Sequence, residues 1–317
     1  MKVLITGGAG FIGSHYADAF TERGDDVTIF DKSPPIHERN SKYIAGDLRD
    51  RESIEAAIKR CDFVIHAAGI LGTHETMLSA LETAETNIGG TLNVIESVKK
   101  YGNNLVNISK PNVWLNPYSI TKDCTEKFCF MYVNEFDTKI AIIKLFNVYG
   151  PRQKYSGVRK AIPTWIVEAL LDRPVEIYGT GSATVDLVFT QDVKAGTIAI
   201  VDQFDKCRIR RNGEIAETVY GDFPGYNEQI LELGSGEEIS VNDVTSALRR
   251  ILGIRFDVRH VPMRRGEIDG TRLCANLSRL TKLTGYRPKV SLDDGLRETV
   301  AYYKAHPQQI VASELDA

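Results

Sequence analysis

Tyr118 and Lys122 stand four residues apart in Tyr118-Ser119-Ile120-Thr121-Lys122. On a helix that spacing puts both side chains on one face. A lysine ammonium beside a phenol stabilises the phenolate and lowers the tyrosine pKa. The pair is then a usable general acid/base near neutral pH. Taken alone, Y-x-x-x-K is common by chance, and a solvent-facing pair has the same spacing. A second cluster raises its weight. Thr6-Gly7-Gly8-Ala9-Gly10-Phe11-Ile12-Gly13 follows an apolar run directly and opens an amphipathic stretch. That is the setting a dinucleotide-binding turn requires. Gly7 permits the tight turn, Gly10 lets a pyrophosphate approach the backbone, and Gly13 lets the helix lie close to the strand. Phosphates then meet N–H groups of Phe11, Ile12 and Gly13 at the positive end of a helix.

Asp31 ends the next apolar run, where a carboxylate accepts hydrogen bonds from the adenosine ribose hydroxyls and repels a 2′-phosphate. This favours NAD over NADP, although Lys32 follows immediately. Asp47 and Leu48 would flank the adenine, or Asp47 caps a helix. Ala67, Ala68 and Gly69 are small enough for backbone to run close beneath the cofactor, or they form a simple turn.

The elements that must hold these groups follow from the apolar pattern. Strands are expected at Lys2–Thr6, Asp26–Phe30, Tyr43–Ala45, Phe63–His66, Leu105–Ile108 and Ile140–Leu145. Helices are expected at Phe11–Arg23, near Arg51–Lys59, over a long region Glu75–Tyr101 that includes Asn87, and at Pro117–Glu135. Such alternation predicts an α/β fold, a Rossmann doubly wound parallel sheet with its ligand beyond the carboxyl ends of the strands. Residues 1–150 form this NAD-binding domain, with return segments near 183–202 and 230–236. Residues 151–317 form a smaller α/β substrate-binding lobe, with an inserted loop or hairpin at 203–229. In the lobe, helices are expected at Ala161–Leu171, at Ser240–Leu252 with Ser240 as cap, at Leu277–Thr284 and at Leu292–Ala305. The tail after His306 is polar and reads as frayed.

Composition bounds the function. The chain has 317 residues, 43% hydrophobic and 26% charged, with net charge -3. Nothing in that balance favours nucleic acid or an anionic membrane. No apolar run is long enough to cross a bilayer. Five scattered cysteines with no C-x-x-C pair make a disulfide framework or a zinc site unlikely and fit a cytoplasmic location. No metal site is expected.

Across residues 1 to about 305 the chain resembles the extended short-chain dehydrogenase/reductase family, in its nucleotide-sugar epimerase/dehydratase branch (UDP-glucose 4-epimerase-like). The resemblance rests on TGGAGFIG, Asp31, GDL at 46–48, HAAG at 66–69, NIGGTLNVIES at 87–97, YSITK, LFNVYGPRQ at 145–153, VEIYGTGSATVDLVFTQDV, PMRRGE at 262–267 and GYRPKVSLDDGLRETVAYY. It implies that Tyr118 removes a sugar hydroxyl proton while hydride passes to NAD, and that Lys122 also holds the nicotinamide ribose. It implies cofactor contacts for Asn87. It implies a sugar-nucleotide site lined by Gly72, Thr73, His74, Asn147, Arg152, Arg264 and Glu267, with Asn147 and Arg264 on the diphosphate. It also implies a homodimer paired through the helices at about 75–101 and 116–134.

The chain departs from that family pattern in places. The family ends its fifth strand with a Ser/Thr pair whose second hydroxyl assists the tyrosine. Here Lys110 aligns with that hydroxyl, and Ser109 is the candidate substitute. Only residues 110–117 separate Ser109 from Tyr118, so a loop that normally covers the substrate is largely missing. Lys110-Pro111 replaces the Asp-Glu pair that a 4,6-dehydratase needs. Val185 and Lys144 stand where arginines are usual. His74 and Glu75 are candidate compensating acid/base groups, unless Thr73 merely caps a helix there. The leading expectation is an NAD-dependent epimerase acting at C4 of a UDP-sugar, with GDP- and dTDP-sugars less favoured. Alternatives are a decarboxylase or pyranose–furanose mutase in the same pocket, or a non-catalytic NAD- or sugar-nucleotide-binding regulator. Retention of both Tyr118 and Lys122 speaks against the last.

Overall fold

The computed structural model describes residues 1–37, 40–111, 114–155, 157–211 and 227–307. Its strands are β1 (Lys2–Thr6), β2 (Asp26–Asp31), β3 (Lys42–Ala45), β4 (Phe63–His66), β5 (Asn104–Ser109), β6 (Ile140–Leu145), β7 (Asn147–Tyr149), β8 (Val175–Tyr178), β9 (Thr184–Val185), β10 (Leu187–Phe189), β11 (Leu231–Leu233), β12 (Ile239–Ser240) and β13 (Val258–Val261). Its helices are α1 (Phe11–Glu22), α2 (Arg51–Ile58), α3 (Ala80–Ala84), α4 (Gly90–Tyr101), α5 (Pro117–Phe136), α6 (Ala161–Leu170), α7 (Thr190–Asp202), α8 (Phe204–Cys207), α9 (Val241–Leu252), α10 (Ser278–Thr284) and α11 (Leu292–Ala305).

Seven strands form one parallel sheet in the order β11-β6-β5-β4-β1-β2-β3. This is the doubly wound Rossmann arrangement, with a switch point between β1 and β4. Strand periodicity builds both faces. Val3, Ile5, Ile65, Val106 and Ile143 point to the side covered by Tyr16 and Phe20 of α1 and by Val193 and Ile200 of α7. Their neighbours Leu4, Val64, Leu105 and Ile142 point to the side covered by α2, α4 and α5. Burial on both faces explains why these strands read as unbroken apolar runs. A third cluster gathers Trp165 and Ile166 of α6, Val175 of β8, Leu248 of α9 and Leu296 of α11. There β8 pairs in parallel with β13.

The long helix expected over Glu75–Tyr101 is broken. A 3-10 turn covers Glu75–Leu78, α3 follows, and a single π-turn spans Glu85–Gly89 before α4 begins. An inserted residue of this kind leaves the apolar pattern almost unchanged, so periodicity misses it; such π-turns often sit at functional sites. Ser240 caps α9 by accepting from the Asp243 N–H at 3.1 Å. The region 203–229, expected to lack helix, contains α8; residues 212–226, and the tail from 308 on, lie outside the described residues.

Candidate active site

The glycine turn joins β1 to α1. Gly7 has φ +71°, and a Cβ there would stand 2.7 Å from Ala68 Cα. A Cβ on Gly13 would fall 2.0 Å from the Gly7 carbonyl oxygen. Both glycines are therefore required by close backbone approach. Gly10 caps α1 in extended conformation, and no side chain caps this helix. The first-turn N–H groups of Phe11, Ile12 and Gly13 are left to meet an anion.

Asp31 closes β2 beside this turn. Its carboxylate accepts from the Ala9 N–H at 3.1 Å and from the Ser33 N–H at 3.2 Å. Lys32 pairs with Asp47 at 3.0 Å, and Arg49 holds the same carboxylate at 2.7 Å. The Arg49 guanidinium is the main cause holding the Asp47 carboxyl well below the usual range. Asp47 does not cap α2: Asp50 does, accepting from Glu52 and Ser53 N–H groups. Lys32 shares the Asp47 carboxylate with Arg49, so its charge is only partly opposed there. Leu48 is buried in the core against Gly90.

At the end of β4, buried His66 links Thr6 Oγ1 at 2.7 Å to Thr91 Oγ1 at 2.9 Å. Ala67 and Ala68 follow beneath the glycine turn. Asn87, in the π-turn, accepts from the Ile70 N–H at 2.7 Å and donates to Ile70 O and Thr121 Oγ1. Its amide clamps the Gly69–Ile70 backbone to α5, so it shapes the site rather than presenting its side chain outward.

Two histidines make this region sensitive to acid. Burial lowers His66 from 6.5 to about 3, and lowers His15, whose ring contacts Pro151 O, from 6.5 to about 4. Both values lie below the unfolded one. Below pH 6.5 the unfolded chain therefore binds more protons, and stability present above that pH is lost as pH falls toward the folded values. Each histidine is expected to cost about 2 kcal/mol at pH 5 relative to pH 7.5. Glu126, raised by burial, opposes this slope. Urea midpoints should fall from pH 7.5 to pH 5, and His66→Gln should flatten the dependence. Equal midpoints at both pH values would refute the assignment of these rings as neutral.

The reacting groups sit where β5 turns into α5. Asn116 caps α5, accepting from the Ser119 N–H at 2.9 Å, with Pro117 at its first position. This fixes Tyr118 in the first turn and Lys122 one turn later. Lys122 is buried, donates to Ile108 O at 2.9 Å, and lies close to Gly69. Burial lowers its ammonium to about 8. The expected lowering of Tyr118 by Lys122 is not found: burial instead pushes the phenol up to about 12.

Ser109 is also placed differently from expectation. Its hydroxyl is buried and donates to Glu126 of α5, away from the tyrosine. Glu126 pairs in turn with Lys144 of β6 at 3.0 Å. Lys110 occupies the tyrosine side instead. Its Nζ donates to Ser119 Oγ at 2.9 Å and lies 5.3 Å from the Tyr118 ring centroid.

The loops facing this point come from four places. Gly72 has φ +118° and backs onto the Glu75 carboxylate. Thr73 does not cap the following turn: His74 occupies that position, and Thr76 Oγ1 donates back to Gly72 O. His74 Nδ1 is buried without a hydrogen bond. Gly266 approaches Thr73 and Asn116, and Trp114 Nε1 donates to Thr271 Oγ1 at 3.0 Å. These contacts bring the segment 262–271 over α5. Arg264 pairs with Glu267 at 2.5 Å and stacks 4.7 Å from the Tyr178 ring centre. With Lys160, Trp165 and Tyr178 it lines a cleft. Asn147 is exposed at the start of β7, its Nδ2 donating to Asp186 O at 3.3 Å.

Arg152, expected at the substrate, is not there. Its φ of +70° turns it back onto α1, where it pairs with Asp18 at 2.8 Å. The motif around it is shared, yet the guanidinium is already held by a buried carboxylate.

Several residues of the site escaped the sequence. Buried Asp186 accepts from Ser235, Gly236 and Ala275 N–H groups, and Asp192 accepts from Tyr286 Oη and the N–H groups of Lys289 and Val290. Acids inside the apolar stretch 185–193 were the available signal. Glu126, four residues beyond Lys122 on the same face, was the signal for the buried pair with Lys144.

The chain belongs to the NAD dependent epimerase/dehydratase family, which matches residues 3–110 and 109–215. A UDP-N-acetyl-alpha-D-glucosaminuronate decarboxylase of Bacillus cytotoxicus is 28% identical, over 96% of this chain and 98% of its own. The structure of UDP-glucose 4-epimerase from Thermotoga maritima with UDP-glucose superimposes with TM-score 0.83 at 26% identity, covering 97% of this chain and 100% of that one. The UDP-glucuronic acid 4-epimerase of Bacillus cereus, solved with UDP-glucuronic acid and NAD, gives TM-score 0.80 at 27% identity, covering 96% and 99%. The chain is an NAD-dependent enzyme of this family. The uncapped α1 N-terminus, the side-chain-free Gly10 that precedes it and the Asp31 carboxylate fit that cofactor. Among the described residues no helix is long and apolar enough to cross a membrane.

Proposed function

We propose that this protein is a UDP-sugar 4-epimerase. The observation that carries the reading is Tyr118, set in the first turn of α5 one helical turn before Lys122, whose Nζ lies close to Gly69. Tyr118 Oη takes the proton of the sugar 4-hydroxyl and returns it when the carbonyl is reduced on its other face. Bound NAD supplies a reversible hydride acceptor. Lys122, anchored on Ile108 O, holds the cofactor's ribose side. Arg264 and Asn147 hold the diphosphate, and the Lys160–Trp165 cleft receives the rest of the nucleotide. Lys110-Pro111 offers no carboxylate pair for eliminating water, which favours a conversion that leaves mass unchanged. UDP is favoured because the relatives above are named for UDP-sugars.

A decarboxylase is the second reading. Lys110 and Lys160 place ammonium groups near the same point, and the Bacillus cytotoxicus relative is named a decarboxylase. Product analysis by NMR and mass spectrometry on UDP-hexoses and UDP-hexuronic acids separates the two. An isomer of equal mass with one inverted carbon in a six-membered ring supports epimerisation. Loss of carbon dioxide overturns it in favour of the second reading, and a contracted ring overturns both.

The same reading includes a symmetric dimer working in the cytoplasm. All five cysteines are unpaired, which suits a reducing compartment. Leu78 is 83% exposed, Leu81 74% and Ile120 53%, on the 3-10 turn, α3 and α5, which pack against one another. A second copy of this surface is the natural cover. Leu81→Glu with Ile120→Glu is expected to yield monomers by light scattering; a wild-type protein already monomeric at micromolar concentration would refute the dimer.

A further inference from the structure

We infer that Lys110 is the positioning residue for Tyr118: its ammonium, held against the tyrosine ring, replaces the missing hydroxyl as the partner that makes the phenolate accessible. The inference rests on the proposal that Tyr118 is the acid/base.

Three contacts place Lys110. Its Nζ donates to Pro111 O at 2.6 Å and to Ser119 Oγ at 2.9 Å, and stands 5.3 Å from the centre of the Tyr118 ring. Ser119 follows Tyr118 in the first turn of α5, so the lysine is fixed relative to the tyrosine by the helix itself. The short connection between β5 and α5 makes this possible. With only residues 110–116 between them, Lys110, the first residue after β5, is brought back to the start of α5.

The other candidates are committed elsewhere. Ser109 donates to Glu126 in the interior. Lys122 donates to Ile108 O. Tyr118 Oη makes no hydrogen bond with any described residue, so its ionisation depends on nearby charge. Burial pushes the phenol up to about 12, and the Lys110 ammonium beside the ring is a charge placed to oppose that rise. A charge of opposite sign at 4–6 Å moves a titrating group by about 1–3 units.

Lys160 beside α6 lowers the affinity of Lys110 for a proton, Glu126 of α5 raises it, and Lys122 of α5 and Lys144 of β6 lower it. Burial, the largest cause, brings Lys110 to about 8. It is therefore still mostly protonated at pH 7, as the role requires. A guanidinium can occupy the same place beside the ring.

The test is an ultraviolet titration of the phenolate on the NAD-loaded protein, taken as the difference from Tyr118→Phe. Lys110→Met should move the Tyr118 transition upward by about 1–3 units. Lys110→Arg should keep it near the wild-type position. Ser119→Ala, which removes one hydrogen bond orienting the amine, should give a smaller shift in the same direction and guards against a folding defect in the first variant. An unchanged transition in correctly folded Lys110→Met overturns the inference. So does a wild-type protein in which Tyr118 shows no transition below that of an isolated buried phenol. Because no substrate is present, failure to convert any UDP-sugar would overturn the proposed function and leave this result standing.

Discussion

Tyr118→Phe is expected to lower turnover by about 10²- to 10⁴-fold, the range for removing a positioned acid/base. Only one atom is lost, and it carries no structural hydrogen bond among the described residues. The ring keeps its place in the first turn of α5 and its contact with Lys110. NAD content and melting temperature should therefore match wild type. Kinetics at saturating substrate, with cofactor content measured on the same preparation, separate this from damage to the cofactor site. A variant within about threefold of wild-type turnover would remove Tyr118 from the mechanism. A variant that loses NAD as well would mean that the phenol holds the cofactor rather than the proton.

Where the sequence carried this far and where it stopped is visible in single residues. The parallel sheet was legible because its strands are buried on both faces and its helices keep a clear period. The glycine turn was legible because two of its glycines are demanded by contacts only a Cβ-free residue allows. Ser109 was not. Strand parity puts it on the same face as Leu105, toward α5, but which α5 residue meets it depends on the rotation of that helix. Arg152 failed for a different reason. Its neighbours match the family motif, yet one left-handed residue redirects the chain to Asp18. The break at Glu85–Gly89 shows the limit of periodicity, since one extra residue in a turn does not disturb an apolar stripe. The Tyr118 pKa was misjudged because spacing gives the face of a helix but not what a side chain already bonds. Lys122 shares the face of Tyr118 but bonds a carbonyl of β5.

Glu126→Ala is expected to destabilise the fold by about 3–5 kcal/mol, the cost of stranding one member of a buried ion pair. Glu126 joins three elements: it lies on α5, receives the Ser109 hydroxyl of β5, and pairs with Lys144 of β6 at 3.0 Å. Removing it leaves the Lys144 ammonium, 18% exposed, without its carboxylate. The pair itself is not a large net stabiliser, because desolvation raises the Glu126 carboxyl and so works against its charged form. That asymmetry makes the claim testable. Glu126→Gln keeps an acceptor for Ser109 and for Lys144 and should cost only about 1–3 kcal/mol. The double replacement Glu126→Leu with Lys144→Met removes both charges and should recover most of the loss. Urea unfolding of the double variant together with Glu126→Leu and Lys144→Met alone gives the coupling directly. If Glu126→Ala falls within about 1 kcal/mol of wild type, the carboxylate is not what secures α5 to the sheet. The site depends on that attachment, since the first turn of α5 sets where Tyr118 stands relative to Gly69 and the end of β5. A destabilised Glu126→Ala protein that still turns over substrate normally below its melting temperature would show that the Asn116 cap and Pro117 alone hold the first turn in place.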